Sequence, residues 1–242
     1  MIEYRSSCRS VNRCLCISPC RLWWAFVLML MPMVAAAHTI SGDNARFVEG
    51  LEGPAVIPYM YLGAKHMVTG YDHLLYLVGV VFFLRRLKDV ALYVSLFTLG
   101  HSVTLLGGVL LEWNVNAYLI DTIIGLSVVY KAFENMNGFQ QVFGLQFNAR
   151  IAVLIFGFFH GLGLATKLQD LSLAADSLVI NMLSFNVGVE IGQVIALTCI
   201  VLVLGQWRKT HHFRGQALMA NTVLMSLGFM LAGYQFSAYL WA

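Results

Sequence analysis

The sequence predicts an all-α integral membrane protein, a bundle of about six transmembrane helices behind a cleavable leader. Three observations predict it. The 242 residues are 59% hydrophobic and only 11% charged, with a mean hydropathy of +0.74, where a soluble domain carries about 25% charged residues. The apolar residues fall into six long runs, and about 20 apolar residues at 1.5 Å each cross a hydrocarbon layer. The net charge of +3 comes wholly from Arg5, Arg9, Arg13 and Arg21 against Glu3. Beyond them the chain is balanced, with no basic face for nucleic acid.

Residues 1–37 read as the leader: basic up to Arg21, apolar from Leu22 to Val34, then Ala35, Ala36 and Ala37 in a small-x-small pattern. Cleavage between Ala37 and His38 is expected, with an uncleaved anchor as the alternative. Cys8, Cys14, Cys16 and Cys20 lie in this leader and only Cys199 lies elsewhere, so neither a disulfide framework nor a zinc ribbon is indicated. Residues 38–54 form a short extracytoplasmic segment, and 55–242 the six-helix domain.

The expected spans run from about Ala55 to Leu84, Asp89 to Leu111, Ala117 to Met136, Ala149 to Thr166, Leu178 to Trp207 and Gln216 to Trp241, each ended by charges or by Asn and Gly. The first and fifth are long enough to tilt or break. Arg85, Arg86, Lys88, Lys131, Arg150, Arg208, Lys209 and Arg214 fall in or beside alternate connections, which places those connections inside and the mature amino end outside, in the cytoplasmic membrane. A weak echo links the halves. The first and fourth spans carry His, the second and fifth a polar residue of ligand type beside small ones, and three spans per half would make such repeats inverted.

Ionisable groups inside spans are costly and mark function. Here they are His66, Asp72, His73, His101, Asp121, Glu134, His160 and Glu190. His73, His101, His160 and Glu190 all fall near mid-membrane, about 16–18 Å from the span ends for the last three. Asn186, Glu190 and Gln193 share one helix face, and Ser102 adjoins His101. Histidine with carboxylate is the ligand set of a divalent transition metal such as nickel, cobalt or zinc. His66 and His73 would stand about 10.5 Å apart along a straight helix, too far for one ion at 2.0–2.1 Å bonds. Either the helix breaks, with Gly70 the obvious place, or there are two stations. Asp72 can ligate or orient His73. His38, as a new amino terminus, would offer an outer capture point. Glu134 is expected to pair with Lys131, and Asp121 is either a helix-start acid or an entry ligand. His211 and His212 read as part of a solvated basic loop.

These residues suit three functions. One is a secondary permease taking the metal as substrate, with no nucleotide-binding loop in this chain. Another is an intramembrane zinc hydrolase acting on a lipid-like substrate, with three His on zinc and Ser102 beside them. The third is a metal-responsive accessory protein. The block His66-x5-Asp72-His73, together with Phe159-His160-Gly161, His101-Ser102-Val103-Thr104-Leu105 and Phe185-Asn186-Val187-Gly188-Val189-Glu190, resembles the HupE/UreJ family across nearly all of the mature region. The resemblance implies a membrane permease for nickel, linked to the supply of nickel enzymes, alone or as a homo-oligomer. It is incomplete in the family's second signature, where a His is replaced by Leu164 and a Glu by Lys167. Glu190 is the expected substitute for that missing acid.

Overall fold

The first apolar run forms two helices instead of one. In the computed structural model, which describes residues 53–169 and 175–241, α1 (Val56–Thr69) stops at Gly70 and α2 (Tyr71–Val81) starts directly after it. Gly70 is extended, with φ −73° and ψ 101°, a conformation open to any residue. Glycine matters there for its missing Cβ, which would stand 2.9 Å from the His66 carbonyl oxygen, 3.1 Å from His73 Nδ1 and 3.2 Å from Asp72 Oδ1. The run was expected to continue to Leu84, but α2 ends at Val81. Arg208 accounts for that end. Its guanidinium donates to the carbonyls of Val81, Phe82 and Leu84, the last at 2.7 Å, and so satisfies groups that a helix terminus leaves open.

The other helices follow the expected spans closely: α3 (Leu87–Leu110), α4 (Ala117–Asn135), α6 (Ala149–Gln169), α7 (Leu178–Trp207) and α8 (Phe213–Trp241). Asn116 caps α4, its Oδ1 accepting the Leu119 N–H at 3.2 Å. A short α5 (Gly138–Phe143) interrupts the third connection, where no element was expected. The exposed Val142, Phe143, Leu145 and Phe147 make it and its flank apolar outward, as an interfacial segment is. The leader and His38 lie outside the described residues.

Four described helices, α3, α6, α7 and α8, are individually long and apolar enough to cross a membrane. Among the rest, α1 and α2 are short because of the break, and α4 carries three charges in 19 residues. Those charges are neutralised within the bundle. Lys131 Nζ meets Glu134 Oε2 at 2.7 Å, as the spacing predicts, and Asp121 meets Lys167 of α6 at 2.9 Å.

The helices pack in pairs, α1 with α7, α3 with α6 and α4 with α8, around the buried α2. The first two pairs run parallel. Ala55 N–H reaches Asn181 Oδ1 at 2.8 Å and Gly192 lies against Ala64, while Gly100 lies against Leu154 and Gly108 against Ala165. The third is antiparallel, with Asn135 Nδ2 donating to Asn221 Oδ1 at 3.0 Å and Gly228 beside Val129. Large apolar side chains such as Val103, Val187, Ile191, Leu202 and Leu218 remain exposed on the outside, the surface that lipid solvates.

The pair contacts repeat. Gly63 abuts the Phe185 carbonyl and Gly188 the Met60 carbonyl; Gly157 abuts the Phe97 carbonyl and Gly100 the Leu154 carbonyl. Moving Met60, Gly63 and Ala64 onto Leu154, Gly157 and Phe158, and Phe97, Gly100 and Thr104 onto Phe185, Gly188 and Gly192, turns one set into the other. The Ala64 carbonyl beside Gly192 becomes the Phe158 carbonyl that accepts from Thr104 Oγ1 at 2.7 Å. The α4/α8 pair maps onto itself, with Gly125 against Ala232 and Gly228 against Val129. Because α4 and α8, which the repeat exchanges, run antiparallel, the halves form an inverted repeat about an axis across the helices. The echo between the halves is real, and it makes His66 and His160 equivalent.

Close packing makes one substitution decisive for the fold. A methyl group at Gly161 would collide with the His101 carbonyl oxygen and with Thr104 Oγ1. Overpacking of this kind costs about 1–3 kcal/mol, so Gly161→Ala is expected to lower the melting temperature in detergent by at least roughly 2–4 °C. An unchanged melting curve would show that α3 and α6 separate without penalty.

Candidate metal centre

The extended Gly70 interrupts the helix between the last turn of α1 and the first turn of α2. His66, seven positions before His73, therefore lies beside it, the ring centroids 5.1 Å apart. Two further rings close on His73 from other helices: His160, near the middle of α6, at 5.0 Å and His101 of α3 at 5.8 Å. Three imidazoles, from α1, α3 and α6, thus gather around the His73 ring. In tetrahedral coordination at 2.0–2.1 Å per nitrogen, ligating rings have centroids roughly 5 Å apart. The three spacings to His73, 5.0–5.8 Å, are of that size.

Hydrogen bonding sets which nitrogens are available. His73 Nδ1 donates to Asp72 Oδ1 at 2.9 Å, and His160 Nδ1 donates to the Phe156 carbonyl oxygen at 2.8 Å. Because each partner is an acceptor, the proton sits on Nδ1, and Nε2 of each ring keeps its lone pair. Both of those Nε2 atoms are buried without a hydrogen-bond partner, as are both ring nitrogens of His101 and the hydroxyl of Tyr76. His73, His101 and His160 are each 1–2% exposed. An unsatisfied buried polar group costs about 1–3 kcal/mol, and a carboxylate or carbonyl behind an imidazole is how metal-bound histidines are oriented. The donors are the right chemistry, held by the right supports. Among the described residues no group of three or more His, Cys, Asp or Glu is already arranged to hold an ion, so closure on a metal requires the rings to turn within this spacing.

Asp72 sits in the first turn of α2, where the helix dipole favours its charge. Its Oδ1 also accepts the His73 N–H at 2.9 Å, which fixes the carboxylate against the ring. Asp72→Asn keeps the shape and removes the charge, and it is expected to weaken nickel binding about 10–100-fold with the melting temperature little changed. Titration calorimetry on the purified variant measures it, and undiminished affinity would mean that Asp72 does not support His73.

The other candidate residues lie elsewhere. Glu190 is exposed and lines a groove between α3 and α7 with Ser102, Asn186 and Gln193, away from the His73 neighbours. Asp121 is bound to Lys167, the residue that stands where the family signature has Glu. Leu164, in place of the signature's second His, is buried in the apolar core. Two neighbours of the rings escaped the sequence reading. Tyr76 lies tilted at 5.3 Å from His160, and Phe97 meets the same ring edge-on at 5.0 Å. Their signal was present, since Tyr76 follows His73 by one helical turn and Phe97 precedes His101 by one.

Neither a curated protein nor a solved structure matches this chain. A family model described as "HupE / UreJ protein" matches residues 43–242. That match takes in every described helix and all four histidines of the cluster, and the chain belongs to the HupE/UreJ family.

Proposed function

We propose that the chain is a secondary permease that moves a divalent transition metal ion, nickel foremost and cobalt next, through the His66, Asp72, His73, His101 and His160 cluster. The observation that carries this reading is the set of buried imidazole nitrogens left without hydrogen-bond partners around His73. Nitrogen donors of this kind suit nickel, cobalt or zinc. Family membership points the same way, toward a permease-type role. The helix directions support six crossings with α1 and α2 counted as one, because spans one and five, and two and four, run parallel while three and six run antiparallel. On this reading the protein lies in the cytoplasmic membrane with its mature amino end outside.

Helix α1 brings His66, α2 brings Asp72 and His73, α3 and α6 bring His101 and His160. The ion exchanges its waters for imidazoles as the rings turn inward. A carrier must also release it, and rings that are 5.0–5.8 Å apart but not converged suit transient holding. In the hydrolase alternative Ser102 beside His101 would orient the substrate, whereas Ser102 lines the α3/α7 groove with Glu190, and a single tightly held ion with an open water position would mark the enzyme.

The test is entry of nickel, cobalt and zinc into liposomes containing the full chain. Saturable nickel entry, with cobalt competing, is the expected result. No flux together with one tightly retained zinc would replace the permease with a metalloenzyme.

A further inference from the structure

We propose that the groove between α3 and α7 is a second station, lined by oxygen, that holds the divalent cation with its waters before or after the imidazole cluster. The inference takes its cargo from the permease reading, and its site from separate observations. The open groove, about 490 Å³, lies between Ser95, Thr98 and Ser102 on one helix and Asn186, Glu190 and Gln193 on the other, with Val94, Leu99 and Val194 completing its lining.

The first observation is the placement of Glu190. It is exposed on a helix whose neighbouring Val187, Ile191 and Val194 are exposed and apolar. No cation pairs with it among the described residues. Lipid does not solvate a carboxylate at this depth, so such residues face water-filled paths. The second is a pair of buried amide atoms with no hydrogen-bond partner: Asn186 Oδ1, an acceptor open to a cation or its water, and Gln193 Nε2, on a side chain only 2% exposed, a donor that suits a water or carboxylate oxygen rather than the cation itself. Gln193 Oε1 is held by Thr98 Oγ1 at 2.7 Å, which fixes the amide at the groove wall. The third is symmetry. The shift that superposes the halves carries Thr98 onto Asn186 and Ser102 onto Glu190, so the groove straddles the repeat axis, where inverted-repeat transporters bind their ions.

The donors differ in kind from those of the cluster. One carboxylate, an amide oxygen and hydroxyls are hard ligands that suit a cation keeping its waters, while imidazole suits one that has shed them. Helix α3 is the partition. Thr98 and Ser102 face the groove, and their chain neighbours Phe97 and His101 face the histidine rings.

The test needs no metal. In a chain with Cys8, Cys14, Cys16, Cys20 and Cys199 replaced, Ser102→Cys and Ser95→Cys are treated in turn with cationic and anionic membrane-impermeant thiol reagents of equal size. Both cysteines are expected to react about tenfold faster with the cation, and Glu190→Gln to abolish the preference. Val103→Cys, which faces outward one residue away, is expected to react with neither. Silence at both groove positions, or a preference that survives Glu190→Gln, overturns the proposal. Where wild-type nickel entry is seen, Glu190→Gln should raise its half-saturating concentration about tenfold at a similar maximal rate, and an unchanged value also overturns it. Absence of nickel entry in the wild type defeats the permease reading alone, because the thiol rates stand without it.

Discussion

Alanine at His73 is expected to abolish saturable nickel entry, with binding weakened by at least about 100-fold, beyond the loss of a supporting partner. His73 is the ring that the others share: His66, His101 and His160 each approach it within 5.0–5.8 Å. Removing it deletes a lone pair that Asp72 orients, and leaves the remaining rings without their common neighbour. His73→Asn keeps polarity and much of the volume, so it separates loss of the ligand from collapse of the core around Leu75 and Phe97. His212→Ala, on an exposed loop residue, is expected to match the wild type in the same liposomes. Nickel entry surviving in both His73 variants, with wild-type half-saturation, would place the path outside the cluster.

The spans were legible in the sequence because charge and Gly/Asn punctuation are local signals, and the helix limits fall within a few residues of them. The histidines were legible because burying an imidazole in an apolar helix is costly wherever it points. Depth, however, says nothing about azimuth. His101 and Ser102 are neighbours at one depth, yet they face opposite sides of α3, toward the rings and toward the groove. Glu190 shares the depth of the cluster and stands on another face for the same reason. The Asp121 to Lys167 pair joins residues 46 apart and was invisible until α4 and α6 were side by side. The repeat was faint in sequence because its conserved feature is small residues under carbonyls, Gly63 with Gly157 and Gly100 with Gly188, while the side chains that carry chemistry have diverged between the halves.

That divergence gives Gly70 its weight. The shift relating the halves takes Gly70 to Leu164, and α6 runs unbroken through Leu164 while the first half breaks. Gly70→Ala is therefore expected to weaken nickel binding at least about tenfold, with the melting temperature unchanged or slightly higher if the helix heals, since alanine favours helix over glycine by about 1 kcal/mol, and lower if the break persists, since the new Cβ would stand 2.9 Å from the His66 carbonyl oxygen. Two routes lead there. If the new Cβ heals the helix, His66 and His73 move toward the roughly 10.5 Å axial separation of a straight helix and no longer share an ion. If the break persists, a Cβ placed 3.1 Å from His73 Nδ1 and 3.2 Å from Asp72 Oδ1 pushes apart the bond that orients the ring. Melting and calorimetry on one preparation tell the two routes apart, because a healed helix lowers affinity alone, whereas a persisting break lowers both numbers. Wild-type affinity in folded Gly70→Ala would mean that the rings reach the ion without the break, and that the glycine serves only the turn.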